Sequence, residues 1–596
     1  MKKRMINNIK KIGLVSLTGF MGLVQTGCSD FLEIEPLNEI ILEKFWSEKS
    51  DVQAVIAGCY SGLQSEGVVK RMMVWGEFRS DNIGIGRNID SDTQLEKVLK
   101  ENIDAKNSYT TWDGFYNIIN RCNTVIKYAP KVAASDPSYT ENDLNANLAE
   151  MTALRALCYF YLIRAFRDVP YSTEAFTDDN QMMALPATKF NDVLDKLIES
   201  LESVKDKAVA RYPITTPLYQ TGRITQEAIY AMLCEMYLWK KDYDNCIKYA
   251  DLVIASKKKY AKDNEYKLDN MSASTLTNRM ERYNGFPLIS GMQTTNVYGN
   301  TYSTLFGSDS ESRVEEYNQE IIFQLVYNDN PNTSSMIANK AVNAFYGNDN
   351  SNIGLVAPST VIMTEVSEGE THNYFAERNK KLDARMYENC NISTSSIHKF
   401  TTRSIQINVT TPTSPKITYS SLYADGQNGS NWVIYRLTDI MLLKAEALTQ
   451  KLREGADQET VDYNKPILDE AFTLVNAVNK RSLCQSQLAD TLLRSSYNTK
   501  SLMETLVLQE RQRELMFEGK RWFDLVRVSE RDGNTDKLLS AVRAAVEGDA
   551  TMIALKLQKM DAIYWPYNYE ELKVNTNLKQ NPAFSSGENE SYAKNL

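Results

Sequence analysis

The chain has 596 residues with 67 basic and 76 acidic side chains, a net charge of −9, and only two histidines. That acidic balance argues against a nucleic-acid partner and against peripheral binding to anionic lipid. Beyond the leader, no apolar stretch approaches the roughly 20 residues a membrane-spanning helix needs, and the length is ample for a well-buried core.

The first 28 residues have the layout of an export signal. Lys2, Lys3, Arg4, Lys10 and Lys11 make a positive start without an acid, and Ile12 to Val24 is apolar but too short to span a bilayer. Gly27-Cys28 after that run resembles a bacterial lipobox, in which the cysteine is acylated and becomes the new N-terminus. Acyl chains contribute about 0.8 kcal/mol per buried CH₂, so several of them on Cys28 make a firm anchor. The Ser-Asp-Phe-Leu-Glu that follows resembles the acidic tag of Bacteroidetes-type lipoproteins sent to the outer face of the outer membrane. Residues 1–27 are therefore expected to be a signal peptide. Their removal leaves 569 residues with 62 basic and 76 acidic side chains, or −14. Seven further cysteines, an odd number without CxxC spacing, imply neither a disulfide framework nor a zinc site.

Helical patterns dominate the rest and come in pairs. Apolar residues at 148, 151, 154, 158, 161, 162 and 165 predict a helix over 148–166, followed by one over 191–204. Gln226 to Trp239, a Lys-Lys-Asp turn and Tyr243 to Ile254 resemble a tetratricopeptide repeat, with the small residues Cys234 and Cys246 where two helices must approach. Further helices are expected over 435–449, 467–484 and 502 to about 518. The fold class is mainly α, a tetratricopeptide-repeat-like scaffold of helix pairs with long irregular loops and a few short strands.

The character changes between 283 and 434. This stretch is rich in Asn, Ser, Thr and Gly, with short strand-like runs such as 320–327 and loops too long to be idle connectors. The chain thus divides into an N-terminal region, 28–282, a loop-rich region, 283–434, and a C-terminal region, 435–596.

Several segments, in order, resemble the SusD/RagB outer-membrane nutrient-binding lipoproteins. They are Cys28-Ser-Asp-Phe-Leu-Glu, Trp75-Gly-Glu-Phe-Arg-Ser-Asp-Asn82, the run from Ala153 to Pro170, and Tyr435 to Ala447. The most specific is Arg511-Gln-Arg-Glu-Leu-Met-Phe-Glu-Gly-Lys-Arg-Trp-Phe-Asp-Leu-Val-Arg527, and Trp565-Pro566 to Pro582 resembles the family's closing segment. The resemblance implies a surface-facing outer-membrane lipoprotein that is not an enzyme. Such a protein captures an oligosaccharide, or in some branches a peptide, and passes it to a SusC-like TonB-dependent transporter.

The residues themselves carry no catalytic signature. His372 and His398 lack metal-ligand spacing, Gly84-Ile-Gly86 lacks the third glycine of a dinucleotide fingerprint, and there is no GxSxG. No cofactor or metal is implied. With 76 acids some carboxylate pair is inevitable, so a surface glycosidase is the alternative reading. The segment 511–527 reads as packing, with opposite charges three apart at Glu510–Arg513, Arg511–Glu514 and Glu518–Arg521. Sugar binding needs flat apolar faces and a few fixed polar groups. The candidates for such a platform are Trp75 with Arg79, Asp81 and Asn82, and the loop aromatics Tyr298, Tyr302, Phe345, Tyr346 and Trp432.

Overall fold

The computed structural model describes residues 45–585 apart from 179, 214–215, 217, 264–282, 295, 308–319, 329–336, 348–353, 364–382, 392, 410–415, 424–425, 485–491 and 546–547. The expected leader and Cys28 lie outside the described residues. Residues from Trp46 onward form one compact unit, and Phe45 is the sole described residue of the preceding one.

Helices of eight residues or more are labelled in chain order. They are α1 (Lys49–Leu63), α2 (Glu66–Gly76), α3 (Asp113–Ser135), α4 (Glu141–Phe166), α5 (Phe190–Val204), α6 (Gln226–Trp239) and α7 (Tyr243–Asp263). After the loop-rich region come α8 (Leu437–Gln450), α9 (Gln458–Ser482), α10 (Lys500–Leu515), α11 (Arg521–Asp532), α12 (Asp536–Ala545) and α13 (Ala550–Leu557). From α3 to α10 each helix packs on the next, so the pairs stack into the expected scaffold.

Local chemistry sets several starts. Thr140 accepts from the Asp143 N–H in a capping box, and Thr225, Asp457 and Thr499 accept in the same way at α6, α9 and α10. The Cys234 and Cys246 sulfurs lie 3.7 Å apart, marking where α6 and α7 meet. Met441, Val475, Val478, Met503 and Leu506 form a common core beneath α8, α9 and α10.

The described strands are short and antiparallel. Ile321–Leu325 pairs with Trp432–Arg436, with Trp432 opposite Leu325 and Arg436 opposite Ile321. A four-stranded sheet runs in the order Lys416–Leu422, Thr402–Asn408, Val297–Tyr298, Met292–Thr294. Val169–Pro170 and Ala187–Thr188 pair and so draw together the ends of the loop between them.

The helix expected from 435 begins at Leu437, because Trp432–Arg436 is extended and fully buried. That strand aims Arg436 into a buried charge cluster. Glu514 is fully buried and faces Arg436 and Arg481, with Arg385 at 3.3 Å. Arg436 also reaches Glu518 at 2.7 Å and Glu320 at 3.2 Å, and Lys399 reaches Glu518 at 2.7 Å. Burial pushes the Glu514 carboxyl up, but Arg481, Arg436, Arg385 and Lys399 outweigh it and hold the group well below its usual range.

Two of the three local pairs expected in 511–527 are therefore replaced by tertiary ones. Glu510–Arg513 forms at 2.9 Å, whereas Arg511 binds Asp439 and Asp524, each at 2.9 Å, and Arg521 binds Asp81 at 2.8 Å. Buried guanidinium groups need fixed partners on all sides, and one helix face cannot supply them. The packing role itself holds: Trp522 is buried, donates to the Ile563 carbonyl at 3.2 Å and lies 4.3 Å from the Arg79 guanidinium.

Glu514→Gln leaves three arginines short of a counter-charge, and the expected loss is about 3–5 kcal/mol of folding stability. A carboxylate held low in the fold contributes stability present above its unfolded pKa of about 4.3 and lost as pH falls below it. Urea unfolding should accordingly show a shallower acid loss below about pH 4.3 in the variant than in the parent. Equal stability at pH 7 contradicts the assignment.

Candidate functional site

The nine residues expected to form a sugar platform are all buried, so they present no ring to a ligand. Trp75 is fully enclosed, donates to the Tyr109 carbonyl at 2.8 Å and stacks on Phe115 with centroids 5.0 Å apart. Arg79 grips Glu101 at 2.7 and 2.9 Å and the Ala562 and Ile563 carbonyls at 2.8 and 3.0 Å. Asp81 pairs with Arg521, and both Asp81 and Asn82 accept from the Gln512 amide. Glu77, between them, accepts backbone N–H groups of Phe517, Lys520 and Arg521 at 2.8, 2.9 and 3.2 Å, an anion at the N-terminus of α11. Gly76 is required there, because a Cβ would sit 2.0 Å from the Gly519 carbonyl oxygen.

The loop rings are buried for a related reason. Tyr302 reaches Glu514 through its hydroxyl and stacks on Phe306 at 5.6 Å. Tyr346 donates to the Phe517 carbonyl at 2.9 Å, Phe345 packs edge-on against Phe78 at 5.0 Å, and Trp432 lies 5.3 Å from Phe400. Tyr298 is buried in its strand opposite Ile407. These rings fasten the middle loops to α2 and the α10–α11 corner.

An open groove of about 430 Å³ lies elsewhere, between α3, the loop 171–186 and the segment 569–578. Trp112 precedes α3, and Tyr116, Asn120 and Asn123 continue the same helix face at spacings of four, four and three. The opposite face, including Phe115, Ile118, Cys122 and Val125, is buried. The polar members of the first stripe hold the loop. Tyr116 donates to the Pro170 carbonyl at 2.7 Å. The Asn120 amide bonds both the Phe176 carbonyl, at 2.9 Å, and its N–H, at 2.7 Å. Asn123 donates to the Glu174 carbonyl at 2.8 Å while accepting from Arg155 at 2.8 Å. From the third wall, Asn575 and Asn577 donate to the Leu185 and Ala184 carbonyls, each at 2.7 Å.

With those amides committed, the groove offers rings and acceptors. Tyr116 and Phe176 are half-buried and Asn117 is exposed. Asp113 has a side chain 68% exposed. Glu571 is half-buried; burial raises its carboxyl, a hydrogen bond from Trp112 opposes the rise and nearby Asp113 adds to it. At the rim, Met183 and Val574 are 55% and 81% exposed. No lysine or arginine lines the groove among the described residues, and no group of His, Cys, Asp and Glu among them is placed to hold a metal ion. No helix among them is long and apolar enough to cross a membrane.

Sequence reasoning missed this groove. The stripe at 112, 116, 120 and 123 was visible as a helical period, but nothing in it separates a lining face from a packing face.

Comparison with known proteins agrees with this architecture. Residues 293–584 match the SusD family model, and residues 30–238 match the model described as "Starch-binding associating with outer membrane". A SusD-like protein of Formosa agariphila is 25% identical over 609 residues, covering 96% of this chain and 99% of its own length. A second from the same organism is 23% identical, covering 85% and 88%. A SusD superfamily crystal structure from Bacteroides fragilis shares the fold with a TM-score of 0.59 at 16% identity, covering 90% of this chain and 100% of its own. A laminarin-binding SusD-like protein does so with a TM-score of 0.55 at 18% identity, covering 90% and 99%. The helix-pair scaffold is that of the SusD/RagB family, to which this chain belongs.

Proposed function

We propose that this protein is a lipid-anchored outer-membrane binder that captures a glycan at the cell surface and passes it, unaltered, to a SusC-like TonB-dependent transporter. Family membership supports the class, together with a related structure that binds laminarin. The observation that carries the reading is the groove, where half-buried rings and unspent acceptors stand on a rigid frame. Rings match the CH faces of sugars and carboxylates accept from their hydroxyls, and no metal-ligand cluster is found among the described residues. Asp113 and Glu571 are a carboxylate pair, so turnover is the measurement that separates a binder from a glycosidase.

Calorimetry against soluble neutral glycans should give a dissociation constant of roughly micromolar for an oligomer, near −8 kcal/mol, weakening as the chain shortens. Incubation should release no reducing ends. Product formation lost in Glu571→Gln would make the groove a hydrolytic site. Phe176→Ala should weaken binding about tenfold, or about 1.4 kcal/mol, while unfolding shifts by about 1 kcal/mol or less because the ring is half-buried. Unchanged affinity moves the site away from the groove.

Cys28→Ser should leave the protein unlabelled by fatty acid and absent from the outer-membrane fraction. A variant that still labels and fractionates there refutes the anchor.

A further inference from the structure

Both charged groups that line the groove are acidic. Asp113 enters from the first turn of α3 and Glu571 from the helix Tyr569–Val574, and the remaining lining groups are neutral. The cations behind the walls do not enter the groove. Arg71 comes within 4.0 Å of Asp113, but its guanidinium is held by the Thr111, Gly67 and Ser108 carbonyls at 2.6, 2.8 and 3.3 Å. Arg155 lies behind Asn123, to which it donates at 2.8 Å, and Lys573 pairs with Glu570 at 3.1 Å. The loop 171–186 carries Glu174, Asp178 and Asp179 but no basic residue, so it adds no cation either.

Most of the side-chain donors along the groove are already committed. The amide N–H groups of Asn120, Asn123 and Asn575 are committed to loop carbonyls, and the Tyr116 hydroxyl to Pro170. What remains for a ligand is the exposed Asp113 carboxylate, the Glu571 lone pairs that Trp112 does not occupy, and two neutral donors, the exposed Asn117 amide and the Ser172 hydroxyl. Such a cavity accepts hydrogen bonds from hydroxyl groups. No cation among the described residues lines it to meet a carboxylate or sulfate ester, which would enter beside two like charges.

We propose that the groove selects uncharged oligosaccharides and rejects those bearing uronate or sulfate. This rests on the reading of the groove as the glycan site. Asp113 and Glu571 act as hydroxyl acceptors for the neutral chain and as the repulsive element against the anionic one.

The test uses the purified chain and gluco- and manno-oligosaccharides of several linkages, each beside the same oligosaccharide oxidised at C6 to the uronate. Calorimetry at low and at high salt should give the neutral member of the bound pair an advantage of about tenfold or more at low salt, reduced at high salt as the repulsion is screened. In Asp113→Asn and Glu571→Gln, which keep side-chain size, the uronate should gain affinity and the gap should close to about twofold. Thermal unfolding establishes that both variants are folded. A uronate bound as tightly as its neutral partner by the parent overturns the selectivity while leaving glycan binding standing. A gap unchanged in both variants overturns the assignment to these two carboxylates. Binding to no member of any pair removes the glycan reading itself, and this inference with it.

Discussion

The fold depends on how a set of arginines is kept charged without water. Glu514 receives Arg436 from a strand, Arg481 from the end of α9 and Arg385 from the helix Arg385–Asn389, all buried. None of these residues tolerates burial alone, because an unpaired charge in the interior costs more than any single contact returns. The three segments are therefore forced to converge on α10. The loop-rich region is held to the C-terminal scaffold by this condition and by the rings packed beside it. Beneath it the same logic recurs: Glu77 ties α2 to the start of α11, and Arg511 ties α10 to Asp439 and Asp524. Net stabilisation from such pairs is small. Their contribution is specificity of arrangement, since only one docking satisfies every charge.

How much was legible in the sequence follows from the range of each interaction. The helix Gln226–Trp239 was readable residue by residue, because its cap and its apolar period are local. The pairing of Cys234 with Cys246 was readable because only a short turn separates the two helices. Arg79 was not. Its partners are Glu101, 22 positions away, and the Ile563 carbonyl, 484 positions away, and no local pattern encodes either. Nor was the fate of the loop rings legible. An aromatic in a polar loop has the same local signature whether it stacks on a sugar or pins the loop, and at Tyr302, Phe345, Tyr346 and Trp432 the second use prevails. The grouping of Trp75, Arg79, Asp81 and Asn82 was a real unit, but its complement is the segment 511–527 and not a ligand.

The groove shows the same economy in reverse. Amide side chains are versatile recognition groups, yet Asn120, Asn123 and Asn575 spend theirs on the backbone of a loop whose ends are already joined by the strands Val169–Pro170 and Ala187–Thr188. A loop fastened at both ends and along its length has little conformational freedom left to lose when a ligand arrives. The cavity is in that sense prepared beforehand. On the proposed reading, recognition there falls chiefly to ring faces and two carboxylates, groups that gain modestly per contact and need no rearrangement.

If the groove is the glycan site proposed above, that division bears on release as well as capture. A binder that closed over its ligand through many strong, newly ordered contacts would release slowly, because differences in affinity are expressed mainly in the rate of release. A preformed, open groove with shallow ring contacts allows exchange, and its affinity grows with the number of sugar units engaged. Long chains are then held while short ends detach. The rigidity that permits this is local: Asn120, Asn123 and Asn575 hold the loop, and the Asn568 amide ties the closing segment to Thr110 ahead of α3.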